Sequence, residues 1–253
     1  ILGTVLVGYY SNYYMIVYSV TSVIGIVLGS AKASIGNLNV CESNDNKLLI
    51  FNRIQYINYI GYGFSAVCLA QLLSPFISLW IGKEYVLGKY VVYTIVLNFL
   101  ICGLLHTVTI FKDACGLFWQ TRYRTMATAI VNVVVSIVLA HFLGLAGVFL
   151  GTIISYLVTI LPKDPVVLFG EIFQVSAKEF YYWYFKSFSS TLAIYVVIHT
   201  VCSAIPIKGW GNFFIMASIT TVLTAALFLL FTRKTEEYKY FRNLLFNSFV
   251  KKR

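Results

Sequence analysis

Charge is what this chain has least of. Only 11% of its 253 residues are Asp, Glu, Lys or Arg, and 59% are hydrophobic; soluble domains carry about 25% charged residues. That balance excludes a soluble globular core. Carboxylates are the scarcest of the charged groups, nine in all, and each lies at the end of an apolar run or in a connection. Histidines number three. No Ser/His/Asp grouping, metal-ligand cluster or phosphate-cradling glycine loop stands out, so the sequence implies no metal, no cofactor and no enzyme. None of the five cysteines has C-x-x-C spacing, which excludes a zinc ribbon and a thioredoxin-like pair. Cys41 and Cys115 fall in connections and Cys68, Cys102 and Cys202 in apolar runs, where they read as small packing residues.

What is present is apolar length. Seven runs, at 1–29, 54–81, 90–111, 125–143, 145–161, 188–206 and 213–231, mostly reach the roughly 20 residues that a bilayer crossing needs. The fold class expected is therefore all-α, a polytopic membrane helix bundle. The cations alternate with the runs. Of 19 Lys and Arg residues, 16 fall in the connections 30–53, 112–124 and 162–187 and in the tail from 232; connections 82–89, 144 and 207–212 hold the other three. Basic residues near span ends stay in the cytoplasm, so the sixteen-bearing side and the carboxyl terminus are expected inside. The formal net charge of +10 is then mostly a topology signal and no sign of a nucleic-acid partner. The tail (Arg233, Lys234, Lys239, Arg242, Lys251, Lys252 and Arg253) is expected to rest on anionic headgroups of the membrane lipids. A first residue of Ile, with no basic start and no cleavage site, leads to the expectation that these residues are the carboxyl-terminal part of a larger transporter.

The connections read as four regions: five spans over 1–161, a cytoplasmic connection at 162–187, a final hairpin at 188–231 and the basic tail at 232–253. Pro162-Lys-Asp-Pro165 is expected to stop the fifth span. Glu171, Gln174 and Lys178 then recur among aromatic residues, the pattern of an amphipathic helix lying in the interface. Thr21, Gly25 and Gly29, and again Gly147, Gly151 and Ser155, place small side chains four apart and so predict close helix–helix contacts. Pro75 predicts a kink in the second span.

Few side chains in the spans could meet a ligand. Tyr9-Tyr-Ser-Asn-Tyr-Tyr14 and Tyr18 make the first span unusually polar. Tyrosines at membrane borders form aromatic belts, but residues 9–18 cover about 15 Å of helix, deeper than a belt. Tyr9, Asn12 and Tyr13 are thus candidates for a cavity wall that stacks on and hydrogen-bonds a sugar. Lys32, Arg53, Lys112, Arg122 and Arg124 stand at inner span ends. They are either topology signals or a cationic mouth for a phosphorylated substrate, with Arg53 and Lys112 the candidates for contact. His141 lies at an outer span end, while His106 and His199 lie within spans and need a partner there. Each of that pair is either a packed neutral residue or, for His106 above all, an ion-coupling site.

Three stretches resemble the oligosaccharide flippases of polysaccharide biosynthesis, the O-antigen and capsule repeat-unit transporters. These are Val7-Gly-Tyr-Tyr-Ser-Asn-Tyr13 leading to Ala33-Ser-Ile-Gly-Asn-Leu38, then Leu73-Ser-Pro-Phe-Ile-Ser-Leu-Trp-Ile-Gly82, and the region from Asn132 through Gly144-Leu-Ala-Gly-Val-Phe-Leu-Gly-Thr152. That family shares a superfamily with multidrug-and-toxin exporters and lipid II flippases. The resemblance implies a two-lobed, alternating-access transporter of the bacterial cytoplasmic membrane, of which this chain is most of the carboxyl-terminal lobe plus two appended helices. It also implies a polyprenyl-diphosphate-linked oligosaccharide as substrate, with a polysaccharide polymerase and glycosyltransferases as partners. Lipid II flippases commonly carry an Asp-Arg pair where this chain has Asn12 and Tyr13, which departs from a lipid II substrate. A drug or cation antiporter of the same superfamily and a membrane enzyme of glycan assembly are the competing readings.

Overall fold

The computed structural model describes residues 4–41, 43–203 and 209–250. Every regular element among them is helical. Seven stretches are long and apolar enough to cross a membrane: Val5–Asn37, Asn44–Trp80, Lys89–Ala114, Arg122–Leu143, Leu145–Phe173, Lys178–Cys202 and Trp210–Thr232. In lipid, a backbone without water must satisfy its own hydrogen bonds, and a helix does so within one segment. The chain is a multi-pass membrane protein. Parts of four expected features, residues 1–3 of the first span, 204–206 of the sixth, 207 and 208 of the last short connection and the tail cations Lys251, Lys252 and Arg253, lie outside the described residues.

The helices in chain order are α1 (Thr4–Gly29), α2 (Lys32–Cys41), α3 (Asn44–Trp80), α4 (Lys89–Leu104), α5 (His106–Ala114), α6 (Arg122–Leu143), α7 (Leu145–Ser155), α8 (Leu161–Leu168), α9 (Lys178–Cys202), α10 (Trp210–Thr232) and α11 (Glu236–Val250). Span three is α4 and α5 joined at Leu105, and span five is α7 and α8 with wider π turns at Tyr156–Ile160 and Phe169–Phe173. Consecutive spans run in opposite directions, so the connections after spans one, three and five share one end with α11. That end holds most of the cations and is called the basic end below.

At 37 residues, α3 is about 55 Å long against a hydrocarbon core of roughly 30 Å, so it extends well into the headgroup region. It forms the centre of the bundle, with α1, α4, α9 and α10 packed around it. Asn58 lies buried there and donates to the Gly103 carbonyl of α4 at 2.9 Å. Gly103 has no side chain, and the Tyr62 ring occupies the space a Cβ would need. At the basic end the rings of Phe111, Phe169, Phe173 and Phe180 surround Phe51. Pro75 lies inside α3 without ending it.

The fifth span departs from the sequence expectation. It does not stop at Pro162-Lys-Asp-Pro165 but continues as helix to Phe173. Pro165 has no N–H to offer the Leu161 carbonyl one turn back. The Tyr181 hydroxyl, from α9, donates to that carbonyl at 3.0 Å and lies 3.2 Å from the carbonyl of Pro162. The interruption comes later, at Gln174, which takes a left-handed conformation (φ 58°) while the Val175 N–H reaches back to the Phe169 carbonyl at 3.1 Å. Span six then begins at Lys178. The expected interfacial connection thus divides into the end of one span and the start of the next.

Of the two small-residue stripes, one forms a helix contact. Gly147 and Gly151 of α7 press on α6, where added Cβ atoms would strike the Leu139 carbonyl and Ser136. The chain reverses between these helices at Gly144, whose φ of 59° and ψ of −137° suit glycine. Polar side chains line the seam: Asn132 donates to the Thr152 hydroxyl at 3.0 Å, and the Thr128 and Thr159 hydroxyls are 2.7 Å apart. The other stripe is open, with no atom within 4 Å of a Cβ built on Gly25 or Gly29.

Candidate functional site

Two features collect the polar chemistry of the spans. The first is an ion cluster at the basic end. Asp164, fully buried in α8, has its Oδ2 3.2 Å from Lys112 Nζ of α5 and its Oδ1 3.0 Å from Arg124 Nε of α6. The Lys112 contact is a hydrogen bond. The Arg124 contact lacks hydrogen-bond alignment, so its attraction is Coulombic. Lys112 Nζ also lies 3.8 Å from Asp113 Oδ1, and Asp113 Oδ2 is 4.0 Å from Lys32 Nζ of α2. Spans three, four and five and the helix following span one are thereby tied by three cations and two carboxylates. Burying a lone charge costs several kcal/mol, and here two cations flank the one carboxylate.

Lys112 stands at an inner span end, where the sequence leaves it either a topology signal or a candidate for phosphate contact. It is buried in the structure, because the fifth span runs on past its prolines and brings Asp164 alongside it. The sequence places Asp164 in a connection, where an acid carries no sign of a buried partner. The apolar residues on both sides of it, Leu161 and Val166-Val-Leu168, were the available signal. Arg53, the other expected phosphate contact, stacks its guanidinium 3.5 Å from the centre of the Tyr240 ring and so joins α3 to α11.

The second feature is the tyrosine face of α1. Tyr10, Tyr14 and Tyr18 stand one turn apart, with ring centroids 5.8 and 5.6 Å from their neighbours. Tyr14 is 51% and Tyr18 57% exposed. Tyr10 at the head of the row meets Phe149 of α7 at 5.1 Å. Of the three expected wall residues, Tyr13 is not on this face. It is wholly buried, and its hydroxyl accepts a hydrogen bond from the Leu87 N–H at 3.0 Å. Tyr9 is half-buried with its ring edge-on to Tyr85 at 5.1 Å. Asn12 is half-buried and its amide turns back to the Gly8 carbonyl at 3.4 Å. Position 13 falls on the buried side because successive helical residues turn by 100°, and α3 with the 82–88 connection covers one side of α1 only.

No family model matches this chain, and neither does any curated protein or solved structure.

The two histidines within the spans both have partners. His106 follows the break at Leu105, and its Nδ1 is 3.3 Å from the Tyr62 hydroxyl. His199 Nδ1 is 3.2 Å from Gln71 Oε1, and its ring stacks on Tyr195. The helices that carry Tyr62 and His106 also carry two unpartnered buried groups, Asn58 Oδ1 and Thr107 Oγ1.

Proposed function

We propose that this chain forms part of a flippase that carries a polyprenyl-diphosphate-linked oligosaccharide across the bacterial cytoplasmic membrane, for O-antigen, capsule or exopolysaccharide assembly. The observation that carries this reading is the row Tyr10, Tyr14 and Tyr18 at mid-span, with the last two rings uncovered. A lipid-facing helix gains nothing from three phenol hydroxyls, whereas a saccharide is held by ring faces together with hydroxyl donors and acceptors. The row would form one wall of a cavity whose opposite wall is a second lobe. Spans one to five supply the lobe, and α9 with α10 the appended pair. The polar head would enter from the basic, cytoplasmic side. There the ion cluster leaves one positive charge in excess, and Lys32 is half-exposed at its edge. The polyprenyl tail would stay in lipid while rocking of the lobes exposes the head on the other side.

A drug or cation antiporter would use a buried acid free to exchange its partner. The buried acid here, Asp164, already lies between Lys112 and Arg124. A membrane enzyme would place catalytic groups on an external loop, and the connections at 81–88 and Gly144 are too short to fold one.

The test is delivery of lipid-linked repeat units to the outer face. Deletion should leave these units facing inward. Replacing Tyr14 and Tyr18 together by Ala should slow delivery about tenfold, as two aromatic contacts of roughly 0.5–1.5 kcal/mol each imply, with normal insertion into the membrane. Undiminished delivery in the deletion strain would exclude the flippase reading, and a fully active double variant would remove α1 from the cavity.

A further inference from the structure

At the basic end, α3, α9, α10 and the start of α11 enclose a cavity of about 220 Å³ that belongs to neither feature above. Its wall combines Gln55 and Tyr59 of α3, Glu179, Trp183 and Lys186 of α9, and Glu237 of α11. Part of that wall is already engaged, since the Tyr59 hydroxyl is 2.7 Å from Ser190 Oγ and Lys186 Nζ lies 6.0 Å from the centre of the Tyr182 ring, but much of its polar chemistry is unspent. Gln55 is 3% exposed and its Nε2 has no partner. Among the described residues, no ion pair engages Glu179, Lys186 or Glu237. Each Glu stands in the first turn of its helix, where a carboxylate is favoured by the helix dipole. The dipole accounts for one acid per helix. It does not account for two acids converging on one cavity with an indole, a phenol ring and an unpartnered amide.

The level of the cavity is that of lipid headgroups. Gln55 lies on α3 three turns from its start, in the part of this roughly 55 Å helix that reaches the interface. The volume is below the roughly 300–1,000 Å³ of sites for drug-sized ligands, which suits a small polar headgroup and excludes an oligosaccharide. Two carboxylates beside aromatic faces select a cation. An ammonium and an amide donor on the same wall select an anion next to it.

We propose that this cavity binds the headgroup of an aminophospholipid. Its primary ammonium sits between Glu179 and Glu237 against the Trp183 and Tyr59 rings, and its phosphate is held by Lys186 and the Gln55 amide. The acyl chains then lie along the apolar outer faces of α9 and α10. Such a site is independent of what the protein transports.

The experiment uses the full chain, purified and delipidated in a non-ionic detergent. Lipid binding is read from thermal stability and from quenching of Trp183 fluorescence by bromine-labelled acyl chains, after Trp80, Trp119 and Trp210 are changed to Phe. Phosphatidylethanolamine should bind about tenfold more tightly than phosphatidylglycerol, the ratio that one charge-assisted hydrogen bond supplies. Glu179→Gln with Glu237→Gln should abolish that preference without lowering the stability of the lipid-free protein. Lys186→Gln should weaken both lipids alike and leave the preference in place. Equal binding of the two lipids, or a preference that survives the double Glu variant, would overturn the proposal. So would stabilisation by water-soluble phosphoethanolamine equal to that by the lipid, which would make the ligand a free metabolite.

Discussion

Asp164 shows what one buried charge does in a membrane bundle. It holds Lys112 and Arg124 together from two other spans, and neither cation has another buried acid among the described residues. Asp164→Asn should therefore lower stability by about 3–5 kcal/mol, the cost of leaving buried charge unpaired, as measured by unfolding in mild detergent. Lys239→Ala, which breaks the exposed pair with Glu236, should cost less than about 1 kcal/mol. Adding Lys112→Met to Asp164→Asn should recover part of the loss, a non-additivity expected of contacting residues. If Asp164→Asn unfolds like the parent protein, the cluster holds nothing together. At this scale the sequence told half of the story. Lys112 was legible as a cation at a span end, but its partner is 52 residues away, and no local pattern announces such a pair. The tyrosines divide in the same way. Their density in the first span was legible, but which of them face outward depends on where α3 covers the helix.

At the scale of elements, two stripes with one spacing have opposite fates. Gly147 and Gly151 are enclosed by α6, while Gly25 and Gly29 face open space. Gly151→Ala should destabilise the protein by about 1–3 kcal/mol, the usual cost of overpacking, because α6 must move away from α7. Gly25→Ala should be neutral or slightly stabilising, since alanine is the better helix former. A thermal melt of the two variants compares them directly, and equal effects would show that the seam between α6 and α7 can adjust. Small residues four apart are a permission for close approach, and a partner helix must be present to use it. The prolines teach the converse. Pro162 and Pro165 predict a stop, but a helix survives a missing N–H when another donor reaches the stranded carbonyl. The Tyr181 hydroxyl is that donor. Sequence alone does not reveal that a tyrosine from the next span will stand there.

At the scale of the whole molecule, the charge distribution makes a claim about orientation. Glu84 lies in a short connection between spans two and three, and Phe118 in the basic connection between spans three and four. In a cysteine-free background, Glu84→Cys should react with a membrane-impermeant maleimide applied to intact cells, and Phe118→Cys should react only after the membrane is opened. The reverse pattern would invert the protein and place the ion cluster on the outer side.

The number of crossings and the end that carries the cations were determined by sequence, because apolar length and charge are properties of contiguous residues. The tertiary structure decided which groups spend their polarity on each other and which keep it. Lys112, Tyr13 and His106 are spent on Asp164, Leu87 and Tyr62, and Tyr14, Tyr18 and the Gln55 amide are not. The physical reason is that pairing depends on which faces of distant helices meet, and a helix carries no mark of its neighbour beyond the shape and charge it presents.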